Sequence, residues 1–441
     1  MTRRAICLFS SAGIGELGLK NNNIEIIISN EIVKNRHDLY KENYPDTHCF
    51  TGDIWDQQET IVDYYNETYP NEELFLVYAT PPCQGMSSNG SGKLLSEVRK
   101  GNRPPVDERN RLIIPTMDVI SKLRPKWIVM ENVPNMQHTV ISDENGEYVN
   151  IMEYIQRRLG PDYFGKGEVV SCSDYGVPQT RKRLITIFTR DDKGIEYFKR
   201  RHTFFPAEEK TSPITLRQAI GHLPPLQAKA GLESRADFHP LHYVPVMNEV
   251  KYWWVSNTKE GDQAYNNQCV NPACHYQFNR LHRDTVKDGI SQSSKDTPIY
   301  CEKCGELLPR PTVADKITGE LRLISGFHSA YRRMEWDKPA PALTKNFQFE
   351  ASDNKIHPEQ NRVLSIYEAL MIQTISDYNY KFEIGGKLIL RSLFAQIIGE
   401  SVPPKLIDMI SKKIVAIETE QLDTEQLLTN SNDNQQLTFS F

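Results

Sequence analysis

Short apolar runs recur along the first 190 residues, at Ala5–Phe9, Ile24–Ser29, His48–Thr51, Leu74–Ala79, Trp127–Met130, Glu168–Ser171 and Leu184–Phe188, with longer stretches of helical periodicity between them. A chain with this rhythm has few options. Parallel strands need crossovers of a dozen or more residues, and helices supply them, so the pattern predicts an α/β domain over residues 1–190. The clearest helix spans about 107–123, where Ile113, Met117 and Ile120 with Leu112, Val119 and Leu123 form a broad apolar face.

After residue 190 the rhythm breaks. Residues 191–345 are rich in Pro, His and aromatics and show no sustained alternation, which marks a second, irregular domain. Regular patterning returns over 346–417, a segment expected to complete the first domain. There Pro403-Pro404 opens a helix carrying Leu406, Ile410, Ile414 and Ile417 on one face. Residues 418–441 are polar and Asn/Gln-rich, and read as a disordered acidic tail. No internal repeat is evident.

The net charge of −5 comes entirely from that tail, whose five acids have no base among them, so the body of the chain is neutral. Within the neutral body, residues 181–217 hold ten Lys or Arg against five acids, an excess able to meet phosphates. The longest apolar stretches fall far short of the ~20 residues that span a bilayer. A transmembrane helix or signal peptide is therefore not expected, and the sequence reads as cytoplasmic.

In a reducing compartment eight cysteines point to metal binding or catalysis before disulfides. Cys269, Cys274, Cys301 and Cys304 fall as C-x4-C and C-x2-C-G inside the irregular domain. Two short knuckles of this kind close a tetrahedral, structural Zn2+ site. The other four cysteines are scattered.

Gly13-Ile14-Gly15-Glu16-Leu17-Gly18 follows the first strand, with Glu31 at the end of the second. Such a loop lets backbone approach a cofactor, and the acid suits ribose hydroxyls, but neither feature specifies which nucleoside cofactor is bound. Asp53, after Gly52, offers an acceptor suited to an adenine amino group.

Thr80-Pro81-Pro82-Cys83-Gln84-Gly85 presents a thiol at the end of another strand, before a Gly/Ser-rich stretch suited to closing over a substrate. Glu131-Asn132-Val133 ends the next strand, and Gln179-Thr180-Arg181-Lys182-Arg183 precedes a later one. In this order, after an F-x-x-x-G-x-G loop, PPCQ, ENV and Q-x-R-x-R resemble the cytosine-C5 DNA methyltransferase family of restriction-modification systems. Asp107-x-Arg109-x-x-Leu112, Arg362-x-Leu364-Ser365-x-x-Glu368 and Gly399-Glu400-Ser401-Val402 resemble further family blocks. The likeness covers about residues 4–190 and 335–415. Two departures stand out: Ser11 replaces a usual Gly, and Glu400 a usual Asn.

The resemblance implies a Rossmann-like S-adenosylmethionine-dependent methyltransferase domain with a target-recognition domain over 191–345. It implies that Phe9, Gly13, Glu31, Asp53, Ile54 and Pro81 hold S-adenosylmethionine. Cys83 would be the nucleophile at cytosine C6, a protonated Glu131 would relieve the ring charge at N3, and Arg183 with Arg181 would hold O2 and nearby phosphate. The substrate would be double-stranded DNA with the target base flipped out of the stack. The enzyme would be a monomer with no membrane role, a cognate restriction endonuclease acting separately.

An NAD-dependent oxidoreductase explains the glycine loop but gives Cys83, Glu131 and Arg183 no shared task. A non-catalytic zinc-containing DNA-binding protein would have no use for Cys83, Glu131, Arg181 and Arg183 together. The motifs also admit an RNA cytosine methyltransferase of the same family. Tyr252, Trp253 and Trp254 read as core in preference to base-stacking residues and are left out of the site, as are Trp55 and His328; Arg332-Arg333 could reach phosphates or base edges, but a solvated pair is the plainer reading.

Overall fold

The structure, a computed structural model, describes residues 2–82, 108–287, 290–294, 296–324, 330–351 and 354–419. Cys83, Asp107 and His328 lie outside them, as does the tail beyond Thr419. Contacts divide the chain into two units. One comprises Met1–Val170, Arg183–Lys210 and the chain from Pro404 onward; the other comprises Ser171–Lys182 and Thr211–Pro403. Residues 191–210 thus fall in the first unit. Of the segment 346–417, the part before Pro404 falls in the second.

All seven expected strands form, and they share one sheet. They are β1 (Arg3–Leu8), β2 (Ile24–Glu31), β3 (His48–Thr51), β4 (Leu76–Ala79), β5 (Trp127–Asn132), β6 (Phe164–Ser171) and β7 (Lys182–Thr189). Their order is β3-β2-β1-β4-β5-β7-β6. β1 to β5 pair in parallel, whereas β7 runs antiparallel to β5. The crossovers include α1 (Leu17–Asn21), α2 (Lys34–Asn43), α3 (Ile54–Thr68) and α4 (Ile113–Leu123). The helix expected from about 107 begins instead at Ile113, because Glu108–Leu112 takes a tighter 3-10 turn. The apolar residues of α3, α4 and the central strands form one buried cluster.

The chain returns to this unit as a long helix, α5 (Pro404–Glu418), with Leu406, Ile410, Ile414 and Ile417 buried as expected. A Cβ on Gly18 would overlap the backbone of Ile407 and Asp408. The third glycine of the loop is therefore demanded by a close helix crossing, not by a phosphate. Glu418, expected to begin the tail, belongs to α5 and pairs with Arg3 at 2.6 Å.

The second unit has little regular structure and relies on buried guanidinium groups. Arg333 spends all five donors, on the carbonyls of Val255, Thr258, His357 and Gln360 and on the Asn361 side chain, at 2.7–2.9 Å. This corrects the reading of Arg332-Arg333 as a solvated pair: Arg333 is 3% exposed. Where ladders are short, forked donors satisfy carbonyls that would otherwise be buried without partners. Trp254 lies in this unit's core, with Tyr252 and Trp253 packed at its margin.

Candidate active site and cysteine cluster

Strand order places the candidate residues of the first unit. Phe9, Glu31, Asp53, Pro81 and Glu131 follow or end β1, β2, β3, β4 and β5 in turn, so all stand along the C-terminal edge of the parallel strands. Open α/β sheets bind ligands at that edge.

The loop after β1 has an unusual backbone. Phe9, Ser11 and Gly13 have φ of 61°, 50° and 76°. For Ser11 the left-handed region costs about 1–2 kcal/mol, a cost that a glycine there would not carry. Hydrogen bonds hold the strained turn. Glu31 accepts from the Ser11 amide at 2.8 Å through Oε2 and from the Val33 amide at 2.7 Å through Oε1. The Thr80 hydroxyl donates to the Phe9 carbonyl, and the Tyr44 hydroxyl to that of Gly13. A Cβ on Gly13 would overlap the rings of Tyr40 and Tyr44. Burial raises the pKa of Glu31, while the Val33 and Ser11 amides oppose that shift.

Asp53 caps α3 by accepting from the Trp55 amide at 3.0 Å, and Ile54 is buried behind it. The Gly52 amide donates to the Glu31 carbonyl, which sets Asp53 beside the end of β2. Ile32 and Val33 are exposed immediately after Glu31. An apolar pair left open beside a ribose-type acid offers a surface for an adenine ring. Sequence reasoning missed it because nothing near Ile32 and Val33 in the chain shows that they are exposed.

Glu131 and Arg183 meet because β7 is antiparallel: the C-terminal end of β5 lies against the start of β7. Arg183 Nε stands 2.5 Å from Glu131 Oε1, with both side chains largely buried. Asn132 donates to the Pro81 carbonyl at 3.0 Å and accepts from the Val133 amide. That clamp fixes Pro81 beside the end of β5. Its signal was the Asn of E-N-V itself.

Arg181 differs from Arg183. Within the second unit it is 3% exposed and donates to the carbonyls of Leu343 and Gly399. Gln179 and Gln373 continue the frame: Gln179 donates to Gln373, which donates to Ser401. Gly399 is required because a Cβ there would overlap the backbone of Thr344 and Lys345. Glu400 is exposed at the end of its helix.

The four clustered cysteines converge. Their sulfurs lie within 4.8 Å of one another, with Cys269–Cys304 at 3.7 Å and Cys274–Cys301 at 4.0 Å. Four thiolates at Zn–S distances of about 2.3 Å stand about 3.8 Å apart, so the cluster fits a tetrahedral metal and no disulfide. The fully buried Arg310 braces both knuckles by donating to the carbonyls of Asn267, Arg280 and Pro298. Burial lowers its pKa to about 10.

A sequence model of the family described as C-5 cytosine-specific DNA methylase matches residues 4–416. The chain belongs to this family. It is 31% identical over 418 residues to the type II methyltransferase M1.HgaI of Avibacterium volantium, covering 93% of this chain and 97% of that protein. It is 25% identical to the type II methyltransferase M1.HphI of Haemophilus parahaemolyticus, covering 96% and 89%. A crystal structure of a Spodoptera frugiperda DNMT2 mutant shares the fold, with a TM-score of 0.53, 15% identity and coverage of 94% and 99%. Among the described residues no helix is long and apolar enough to cross a membrane.

Proposed function

We propose that this methylase transfers a methyl group from S-adenosylmethionine to C5 of a flipped-out cytosine in double-stranded DNA, acting as a monomer in the cytoplasm. The observation that carries this reading is the Glu131–Arg183 pair beside the clamped Pro81, two residues before Cys83. The named relatives are type II methyltransferases, which supports a role as the modification enzyme of a restriction-modification system; a cognate endonuclease would act separately.

Cytosine C5 is too weak a nucleophile to take a methyl group unaided. Addition of the Cys83 thiolate at C6 makes C5 an enamine carbon. A proton held by Glu131 at N3 neutralises the charge that develops on the ring, and the Arg183 fork holds O2. Once C5 has gained the methyl group, loss of its proton and elimination of the Cys83 sulfur restore the aromatic base. S-adenosylmethionine supplies an electrophilic methyl when bound. Gly13, Glu31, Asp53, Ile54, Phe9 and Pro81 would hold it, with the loop itself kept in place by the packing of Gly13 against Tyr40 and Tyr44. We assign Arg181 to positioning, since its buried fork is committed to main-chain carbonyls.

Residues 191–345 would read the target sequence, and 346–417 would complete the catalytic machinery. The four cysteines would hold Zn2+ as a structural cross-link. Metal analysis of the full chain, purified without chelator, should find one zinc per chain, and a Cys301→Ser, Cys304→Ser double variant should lose both the metal and sequence-specific binding. Zinc-free wild-type protein, or unchanged specificity in the variant, contradicts this assignment.

The activity itself is tested by expressing the chain in a methylation-free host and mapping 5-methylcytosine. We expect the mark at one fixed position within a short recurring DNA sequence. Modified cytosine confined to RNA would select the RNA methylase instead.

A further inference from the structure

Asn30 is the penultimate residue of β2 and is 1% exposed, yet the reaction gives it no task. Asparagine is depleted in strands, and a buried carboxamide is costly unless its polar atoms are paired. Its partners explain its presence. The side-chain Nδ2 donates to the Phe50 carbonyl at 3.1 Å and to the Gly52 carbonyl at 3.2 Å. Backbone pairing of β2 with β3 ends at Glu31 and Thr51, so the second of these bonds carries the contact one residue past the end of the ladder. On the other side of β2, the main-chain carbonyl of Asn30 accepts from the Ser10 amide at 2.9 Å, and the Ser10 carbonyl accepts from the Gly13 amide at 2.8 Å. One residue therefore ties the turn that leads to Gly13 to the turn that leads to Asp53. Glu31, next in the chain, adds a bond to each, from the Ser11 amide to its carboxylate and from the Gly52 amide to its carbonyl.

We propose that Asn30 is a positioning residue for the methyl donor, which bridges the turns after β1 and β3 and sets their spacing before the ligand arrives. The inference rests on S-adenosylmethionine as the donor, with Glu31 and Asp53 on its nucleoside. Both polar groups of the Gly52 main chain are anchored in β2, the amide by Glu31 and the carbonyl by Asn30. Asp53 follows directly, and its own carboxylate caps α3 through the Trp55 amide. Without the carboxamide, the Gly52 carbonyl loses its donor and the turn gains freedom that the ligand must then remove as it binds. Preordering of this kind raises affinity without any new contact to the ligand. It acts on donor binding more than on the attack of Cys83 on the base.

Isothermal titration of the full chain with S-adenosylmethionine and S-adenosylhomocysteine, beside steady-state methylation of duplex DNA, tests this. Asn30→Ala should weaken both ligands alike, by about tenfold, since they share their nucleoside. The donor KM should rise to the same extent, while kcat at saturating donor and duplex binding without donor change far less. Asn30→Ser, whose hydroxyl can replace one of the two bonds, should lose less. Neither substitution alters the charge, so the loss is not an electrostatic effect on a cationic ligand. In the wild type, the Ser10 and Gly52 amides should exchange hydrogen slowly before any donor is added. Fast exchange that slows only with donor means that the ligand orders the turns, and overturns the role of Asn30 without recourse to a variant. Unchanged ligand affinity in Asn30→Ala, or parallel loss of donor affinity, kcat and duplex binding, also overturns it. Failure of the wild type to bind either ligand overturns the donor assignment, and this inference with it.

Discussion

Cys83→Ser should lower methyl transfer by ~10³-fold or more while leaving duplex binding intact, because a hydroxyl without a dedicated base is a far poorer nucleophile than a thiolate. Single-turnover methylation and a DNA-binding titration on the same preparation check both halves. The other cysteines are poor substitutes. Cys7 and Cys172 are fully buried, Cys49 interacts with the Ser29 hydroxyl, and four thiols are gathered in the cluster of the second unit. Duplex DNA carrying 5-fluorocytosine at the target should therefore trap a covalent adduct at Cys83, since fluorine cannot leave C5 as a proton does. Near-normal turnover in the serine variant, or an adduct mapped to another cysteine, would falsify the proposed chemistry.

Much of this arrangement was legible in the sequence because its signals are local. Each strand of the main sheet announced itself as a short apolar run, and Phe9, Glu31, Asp53, Pro81 and Glu131 stood at or just after the ends of such runs. Strand order then did the rest: parallel strands bring their C-terminal ends to one edge, and the antiparallel β7 returns Arg183 to Glu131. The cysteines were readable from spacing, since short knuckles place two sulfurs together whatever the surrounding fold.

What could not be read depends on long-range partners. Arg181 and Arg183 are two residues apart and look alike in sequence, but one fork holds the Leu343 and Gly399 carbonyls and the other meets Glu131. Arg333 looked solvated because nothing nearby reveals the carbonyls that surround it. Gly18 read as one more glycine of a cofactor loop, and only the crossing of α1 with α5, nearly 400 residues later, gives its reason. The left-handed Ser11 was visible only as a departure from a family pattern. Its backbone supplies the physical cause.

Acid should loosen the second unit before the first, and the cause lies in one buried cluster. Arg362 makes a two-pronged ion pair with Glu368 at 2.7 Å for each contact, both side chains being 1% exposed. Glu368 also accepts from the Ser365 amide, and the Ser365 hydroxyl accepts from the Glu368 amide, which caps the helix Ile366–Ile372. Burial alone would raise the Glu368 pKa, but Arg362 overrides it and brings the carboxyl down to about 2. Below the ordinary value near 4.5 the unfolded chain takes up a proton that the folded one refuses, so stability is lost as pH falls from 4.5 toward 2. The loss amounts to roughly 3 kcal/mol. Burial likewise depresses His357 to about 3, and its Nδ1 accepts from the Glu359 and Gln360 amides. That group costs stability from pH 6.5 downward. Glu368→Gln should destabilise the unit by about 3–5 kcal/mol at neutral pH, because it strands the Arg362 charge in the interior. It should also remove the part of the acid limb due to Glu368 and keep the part due to His357, which runs from pH 6.5 down to about 3. Amide hydrogen exchange across residues 362–372 as a function of pH reads both effects, and identical acid profiles in wild type and variant would show that the pair does not govern this unit.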